Sequence, residues 1–357
     1  MVLLPDLFIK RKGKPVIIIL FFVFAVVLSL LITPAAKLLH ITDKPNYRKI
    51  HDKPIPKAGG IGIFIPVLLL EMVLFLFFRT YIALDDFKYL TIVFVTFILT
   101  VEGLIDDKLE LRPKLKLCIQ IAVTALTLCS GIRFSTFGIK VLDMLLTAVW
   151  IIGIINAVNL IDGLDGLAAG VAAISCIGFG CIGYTFGNIT ITLLSLAIIG
   201  GCLGFLKYNF RPARIFMGDT GSVPLGYNLA VIGILCGNTI SGKTSIVIPV
   251  IILGIPIFDT LLTVARRVIN HKPLFKPDRS HFYNLLVDLK GMGHRSIVLM
   301  IYVANTALAG LSCILSVSGG IWRIVSVCII MAAACLFSIK TGFIHTDNDA
   351  SSKNAKL

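Results

Sequence analysis

Uninterrupted apolar runs of helical length recur along almost the whole chain, and they restrict it to a membrane fold. A helix needs about 20 consecutive apolar residues to cross the hydrocarbon core of a bilayer. Only 15% of the 357 residues are charged, and the mean hydropathy is +0.95. The sequence therefore predicts an all-α polytopic integral membrane protein. An outer-membrane barrel is excluded, because its strands show short alternating segments rather than continuous apolar runs.

Eleven apolar windows are predicted to be transmembrane helices. Their approximate extents are 15–39, 61–79, 88–105, 114–131, 141–158, 166–186, 188–207, 222–238, 244–266, 296–317 and 320–340. The first window follows a basic segment but lacks a small-residue cleavage site, so it is interpreted as a retained helix. We expect one transmembrane catalytic domain over residues 1–345 and a disordered polar tail over 346–357.

The distribution of Lys and Arg predicts the orientation of the chain. Basic residues concentrate in the loops after odd-numbered windows, including the long loop 267–295, and are sparse in the other loops. The positive-inside rule then places the C-terminus in the cytoplasm and the N-terminus outside. The basic cluster Lys10–Lys14 points the other way, and the agreement of the remaining loops outweighs it. The net charge of +14 is thus explained by basic loops that set the orientation and attract anionic lipid or substrate phosphates. Nucleic acid is not expected as a partner.

Three polar segments interrupt the apolar pattern, and each follows an odd-numbered window. They are Glu102–Asp107 with Glu110, Asn156–Gly166 with Asp162 and Asp165, and Phe216–Ser222 with Asp219. Ionisable groups at a membrane edge are rare and are usually functional. Adjacent carboxylates such as Asp106 and Asp107 repel each other unless a cation shares the site or a pKa rises. We therefore expect one site on the cytoplasmic face that holds a metal and a phosphorylated ligand.

Simpler interpretations of the same residues remain open at this point. Asp106 and Asp107 could belong to a solvated turn, and Asp165 could cap the following helix. The Gly218–Ser222 segment could be an ordinary helix start, although free N–H groups there also bind anions. Asn156 and Asn159 add neutral oxygen atoms, which suit a hard cation.

Two basic loops are further candidates for phosphate contacts. The first loop, Lys44–Gly60, ends in Pro56-Lys-Ala-Gly-Gly and could clamp phosphates or serve topology alone. The late segment Pro277–Asn284 is predicted to open a short helix with an apolar stripe suited to the membrane face. His281 and Asn284 share another face of that helix, turned toward the site or only solvated.

These motifs together resemble the polyprenyl-phosphate N-acetylhexosamine-1-phosphate transferases. The matching pieces are Arg48–Gly60, Asp106-Asp107, Asn156–Gly166, Phe216–Ser222 and Pro277–His281, in family order from about residue 40 to 300. Glu110, Arg279 and His281 match the N-acetylglucosamine branch. That branch usually continues Ile-His-His after His281, whereas this chain has Phe282-Tyr283-Asn284.

The resemblance implies a role for each candidate residue. Asp219 and Asn159 would hold Mg²⁺, with Mn²⁺ as a substitute. Asp106 and Asp107 would position or deprotonate the acceptor, and Asp162 and Asp165 would orient the nucleotide. Substrate contacts would come from Lys114, Asn156, Gly218, Arg279 and His281.

The implied reaction transfers N-acetylglucosamine 1-phosphate from UDP-GlcNAc to undecaprenyl phosphate and releases UMP, at the bacterial cytoplasmic membrane. It would begin the assembly of a cell-envelope polysaccharide such as teichoic acid or O-antigen. Another UDP-N-acetylhexosamine, GalNAc or the phospho-MurNAc-pentapeptide, is the main alternative. A covalent aspartyl phosphate and a homodimer are left open. A secondary transporter is less favoured, because its charges belong at the bilayer midplane, and a lipid-binding scaffold would not need clustered carboxylates.

Overall fold

The computed structural model describes residues 4–43, 54–240, 246–271 and 281–340. Within these ranges the chain is helical apart from a short hairpin, in which β1 (Thr42–Asp43) pairs antiparallel with β2 (Ile55–Pro56). The α-helices are α1 (Leu4–Ile32), α2 (Ile61–Phe77), α3 (Asp86–Leu109), α4 (Pro113–Cys129), α5 (Lys140–Ile161), α6 (Leu167–Thr185), α7 (Ile189–Asn209), α8 (Asp219–Thr239), α9 (Val247–Ile252), α10 (Gly254–Ile269), α11 (Phe282–Lys290), α12 (His294–Ser316) and α13 (Gly320–Lys340). Two 3₁₀ segments, Thr33–Leu39 and Arg79–Tyr81, follow α1 and α2.

Eight helical segments in the described part of the chain are long and apolar enough to cross a membrane. They comprise Ile18–Leu39 and the helices α3, α5, α6, α7, α8, α12 and α13. This confirms the all-α, multi-span class. The predicted windows 61–79 and 114–131 fall on α2 and α4, which have 17 residues each.

The predicted window 244–266 is not one continuous helix, and the sequence prediction was wrong there. The structure divides it into α9 and α10 at Leu253. Pro256 has no N–H to donate to the carbonyl of Ile252, so the helical ladder cannot continue unbroken at that point. The hydroxyl of Ser175 donates to that carbonyl instead, at 3.2 Å.

Helix α8 forms the centre of the bundle. Its residues 220–237 are all buried, although its mean hydropathy, 1.3, is the lowest of the eight, and it packs against α3, α5 and α6. The outer helices instead expose large apolar side chains such as Phe77 (74%) and Val149 (73%). Apolar surface on that scale is costly in water and suits contact with lipid.

The ends of α3, α5 and α7 and the starts of α4, α6 and α8 lie at one end of the bundle, because consecutive helices run in opposite directions. The segment after β2 is fixed to the same end by backbone hydrogen bonds. Phe216 donates to the carbonyl of Pro56 at 2.8 Å, and Gly59 donates to that of Phe216 at 2.8 Å. The polar segments found in the sequence are therefore brought together by the alternation of the helices.

Replacing Gly103 by Ala tests the close contact between α3 and α8. A Cβ atom at Gly103 would overlap the backbone of Asp219 and Thr220, so the two helices would have to separate. Overpacking of this kind typically costs about 1–3 kcal/mol, and we expect a lower thermal unfolding temperature in detergent. Gly153→Ala is the control, because nothing lies within 4 Å of its added Cβ. Equal unfolding temperatures for the two variants would contradict the tight contact.

Candidate active site

Three carboxylates from two helices meet at the end of the bundle just described. Asp106 and Asp107 lie in the last turn of α3, and Asp219 is the first residue of α8. Each offers an oxygen atom, and these oxygens all lie within 4.8 Å of one another. The structure thus brings together two of the three acidic segments that the sequence singled out.

Asp107 is fully occupied by fixed donors. Its Oδ1 accepts from the backbone N–H of Asp219 at 2.9 Å, and its Oδ2 accepts from the N–H and the hydroxyl of Thr220 at 3.0 and 2.5 Å. Lys57 adds an ion pair at 2.9 Å, and the Asp107 side chain is 0% exposed. Asp107 therefore caps the N-terminus of α8 from another helix. The free N–H groups that the sequence suggested for an anion are taken by this carboxylate at Asp219 and Thr220.

Lys116 bridges the other two carboxylates. Its Nζ lies 3.1 Å from Oδ2 of Asp106 and also contacts Oδ2 of Asp219. The second oxygen of Asp106 accepts from the backbone N–H of Leu111 at 2.8 Å. The Asp219 side chain is 16% exposed, against 9% for Asp106. Asp219 is thus the most accessible acid of the three.

Asn159, at the end of α5, brings the third polar segment to the site. Its Nδ2 donates to Asp219 at 3.1 Å and to the hydroxyl of Ser222 at 2.8 Å. An NH₂ group cannot bind a cation, whereas the amide oxygen can. To serve as a metal ligand, Asn159 would have to turn its amide by half a rotation.

The charges of the three carboxylates shift the pKa values of Asp162 and Lys57. Burial raises the pKa of Asp162 well above its ordinary value, and repulsion by Asp219 and Asp107 adds to the effect. Burial lowers the pKa of Lys57, but attraction to Asp107, reinforced by Asp219 and Asp106, exceeds it and leaves that pKa raised. Lys57 therefore stays positively charged beside the acids.

The remaining candidates lie apart from the three carboxylates. Asp165 accepts from the N–H of Ala213 at 3.1 Å, so it holds the loop between α7 and α8. It does not cap α6, whose N-cap is Gly166. Asn156 donates to Gln120 on α4 at 2.8 Å. Lys114 is exposed, and Arg279 lies outside the described residues.

His281 lies against a buried carboxylate that the sequence analysis did not consider. Its Nδ1 is 2.8 Å from Oδ2 of Asp259, and the N–H of Phe282 donates to Oδ1 of the same residue at 2.9 Å. The Tyr283 ring stacks on the imidazole at a centroid distance of 5.4 Å. Its hydroxyl donates to the carbonyl of Leu160 at 2.9 Å, beside Asn159. These contacts attach the start of α11 to α10 and to the end of α5.

The predicted short helix is present as α11, which begins at Phe282, but its apolar stripe does not lie on the membrane face. Phe282, Leu285 and Leu286 are 6%, 0% and 5% exposed, so the described part of the stripe packs inside the protein. The stripe serves to dock the helix that presents His281.

Several functional candidates were missed, although the sequence contained a signal for them. On α4 the buried face carries Gln120, Thr124 and Thr127, whereas Leu117 and Ile121 are exposed. Lys116 continues that polar stripe at helical spacing, and Lys114 does not. Asp259 is an acid inside an apolar window, where ionisable groups are functional by default.

The donor set fits a hard divalent cation. Carboxylate and amide oxygens are the ligands that Mg²⁺ prefers, and the ammonium of Lys116 already marks a cation position between Asp106 and Asp219. Two lysines beside three acids also provide countercharge for phosphate groups. The fold and the site together define a multi-pass membrane protein with a centre suited to phosphate chemistry.

Comparison with known proteins gives the family. The sequence pattern of glycosyl transferase family 4 matches residues 89–237. A probable undecaprenyl-phosphate N-acetylglucosaminyl 1-phosphate transferase of Bacillus subtilis is 38% identical over 318 residues, covering 85% of this chain and 86% of that protein. The decaprenyl-phosphate N-acetylglucosaminephosphotransferase of Mycobacterium tuberculosis is 30% identical over 72% of each chain. An undecaprenyl-phosphate alpha-N-acetylglucosaminyl 1-phosphate transferase of Haemophilus influenzae is 30% identical over 79% of this chain and 82% of its own.

The chain belongs to glycosyl transferase family 4, and it is therefore an enzyme, a transferase. The family match includes Asp106, Asp107, Asn159 and Asp219 but not the Asp259–His281 pair.

The Asp259–His281 contact predicts which ring nitrogen of His281 carries the proton. A carboxylate only accepts, so the neutral imidazole must donate from Nδ1 and leave Nε2 unprotonated. In Asp259→Asn the new amide can donate to Nδ1, and the proton should move to Nε2. Nitrogen-15 NMR of histidine-labelled protein at pH about 8.5, some two units above the ordinary imidazole pKa, measures this change.

Assignment of that signal uses His281→Gln, which should remove it. Thr263→Val is the control, because it deletes only a 3.4 Å contact to the same nitrogen. An Nε2 signal that stays unprotonated in Asp259→Asn would show that Asp259 does not set the tautomer.

Proposed function

We propose that the protein transfers N-acetylglucosamine 1-phosphate from UDP-GlcNAc to undecaprenyl phosphate, giving undecaprenyl-diphospho-GlcNAc and UMP. The observation that supports it best is the group of three carboxylates within 4.8 Å, paired with Lys57 and Lys116 at helix ends. The names of the relatives describe this type of transfer to polyprenyl phosphate. The product would begin the assembly of a cell-envelope polysaccharide.

The chemistry explains why such a site needs cations more than a strong base. An oxygen of the acceptor phosphate attacks the β-phosphorus of UDP-GlcNAc, and the bond to the bridging oxygen of the α-phosphate breaks, so that UMP leaves. A phosphomonoester has a second pKa of about 6, so the acceptor is already mostly dianionic at neutral pH. The main barrier is the repulsion between two polyanions, and positive charge at the site lowers it.

Each residue then takes a role that its contacts allow. Asp219 and Asp106 would hold Mg²⁺, together with Asn159 after its amide turns. Bound Mg²⁺ would neutralise charge on the diphosphate and on the departing UMP. Lys57 and Lys116 would contact phosphate oxygens. Asp107 keeps the start of α8 in place, and its saturated oxygens make it a poor base or nucleophile.

His281 would contact the diphosphate–sugar end of the donor through Nε2, which accepts from a sugar hydroxyl when the imidazole is neutral and donates to a phosphate oxygen only when it is protonated. Asp259 fixes the imidazole from one edge, and the Tyr283 ring covers one of its faces. Asp162, which is partly buried and is repelled by the charges of Asp219 and Asp107, would orient the nucleotide. Asp165 would act only indirectly, by holding the Arg211–Ala213 loop that leads to Asp219.

The decisive test is the release of UMP by purified protein in detergent. We expect UMP only when UDP-GlcNAc, undecaprenyl phosphate and Mg²⁺ are all present, with Mn²⁺ as a partial substitute. Asp219→Asn should abolish it, whereas Glu110→Gln, which neutralises an exposed acid at the same helix end, should not. UMP formation without the lipid would contradict the transfer. A preference for UDP-GalNAc in competition would contradict the sugar assignment and leave the reaction standing.

Orientation is a separate proposal, supported by the basic loops at the active-site end. We propose that this end faces the bacterial cytoplasm, where nucleotide sugars are made. In a background without the nine native cysteines, Glu110→Cys should resist an impermeant thiol reagent added to intact cells. Phe137→Cys, exposed at the other end of α4, should react. Labelling of Glu110→Cys from outside, with protection of Phe137→Cys, would show that the orientation is the opposite of the one proposed.

A further inference from the structure

Lys116 occupies the position where a divalent cation would bind. Its ammonium contacts Oδ2 of Asp106 at 3.1 Å and Oδ2 of Asp219. A metal ion bound to these two oxygens and the ammonium would compete for the same atoms. Binding of the metal therefore requires the lysine to leave both carboxylates. The ammonium cannot lose its charge cheaply there, so it needs another acceptor close by.

Glu102 is placed to be that acceptor. It lies one helical turn before Asp106, and residues at i and i+4 share a helix face. The residue is 6% exposed, and its Oε2 has no hydrogen-bond partner among the described residues. The charged side chains that act on this carboxylate are Lys116, Asp219, Asp106 and Asp107, and Lys116 is the one of opposite sign.

A buried carboxylate oxygen without a donor is costly. Packing does not explain why Glu102 is there, because an apolar residue would fill the same space at lower cost. The neighbouring Gly103 lies against the backbone of Asp219, so the turn of α3 that carries Glu102 packs against the start of α8. If Glu102 accepts from a cation in one state of the site and has no partner in the other, both the presence of a carboxylate and its position on α3 are explained.

We propose that Glu102 is the alternative partner of Lys116: when the metal binds Asp106 and Asp219, the ammonium moves to Glu102. The inference rests on the metal site of the proposed function. The exchange keeps Lys116 charged at the edge of the site, where it can meet a substrate phosphate. The carboxylate of Glu102 also offsets part of the positive charge that the metal brings to the site. Glu102 is thus a positioning residue for Lys116 and does not itself touch the substrate.

A double-mutant cycle on metal affinity tests the exchange without measuring activity. Mn²⁺ binding to purified protein is followed by the electron paramagnetic resonance signal of the free ion. We expect Glu102→Gln to weaken binding by about tenfold, in the range of couplings between neighbouring residues. Lys116→Met should tighten binding, because the competitor is gone. In the Lys116→Met background, Glu102→Gln should then have an effect of less than about threefold.

The controls separate this inference from the proposed function. Glu110→Gln removes an exposed charge from the same end of α3 and should leave Mn²⁺ affinity unchanged. Equal weakening by Glu102→Gln in both backgrounds, or none in either, would overturn the exchange and leave the metal site standing. Absence of Mn²⁺ binding by the unmodified protein, or full binding by Asp219→Asn, would overturn the metal site itself. If Lys116→Met fails to fold, Lys116→Gln provides the second background.

Discussion

The site depends on the capping of α8 by Asp107. Two backbone N–H groups and one hydroxyl at the start of α8 donate to this carboxylate, which itself belongs to α3. A negative charge at a helix N-terminus is stabilised by the helix dipole, and here it joins two helices instead of capping its own. Lys57 adds the loop after β2 to the same carboxylate. Three distant parts of the chain are held in register by one side chain.

This arrangement gives the three acids different surroundings. Asp107 is saturated and buried, so it fixes geometry. Asp219 and Asp106 share the ammonium of Lys116, and each has one further donor, Asn159 and the N–H of Leu111 respectively. Adjacent carboxylates that look equivalent in the sequence therefore differ in their contacts, because the backbone N–H groups of α8 bind only one of them.

Helix periodicity and alternation predicted the fold class and the meeting of the acidic segments. They could not predict the break before α10. The apolar face that this helix exposes gives the window 244–266 an average hydropathy like that of a transmembrane helix. The resemblance named Lys114, whereas the polar stripe on the buried face of α4 leads to Lys116, because that face turns away from lipid. The partner of Asp165 is the N–H of Ala213, in a loop 48 residues away. No local sequence pattern predicts such a contact.

The departure from the family pattern at Tyr283 has a local explanation. Its ring stacks on His281, and its hydroxyl donates to the carbonyl of Leu160. The same hydroxyl lies where a Cβ atom on residue 163 would be, so the glycine in Asp162-Gly163 provides the space it needs. A side chain at 163 would displace the Tyr283 hydroxyl from this position. The aromatic residue therefore replaces an imidazole without displacing His281, and it ties the start of α11 to the segment that carries Asn159 and Asp162.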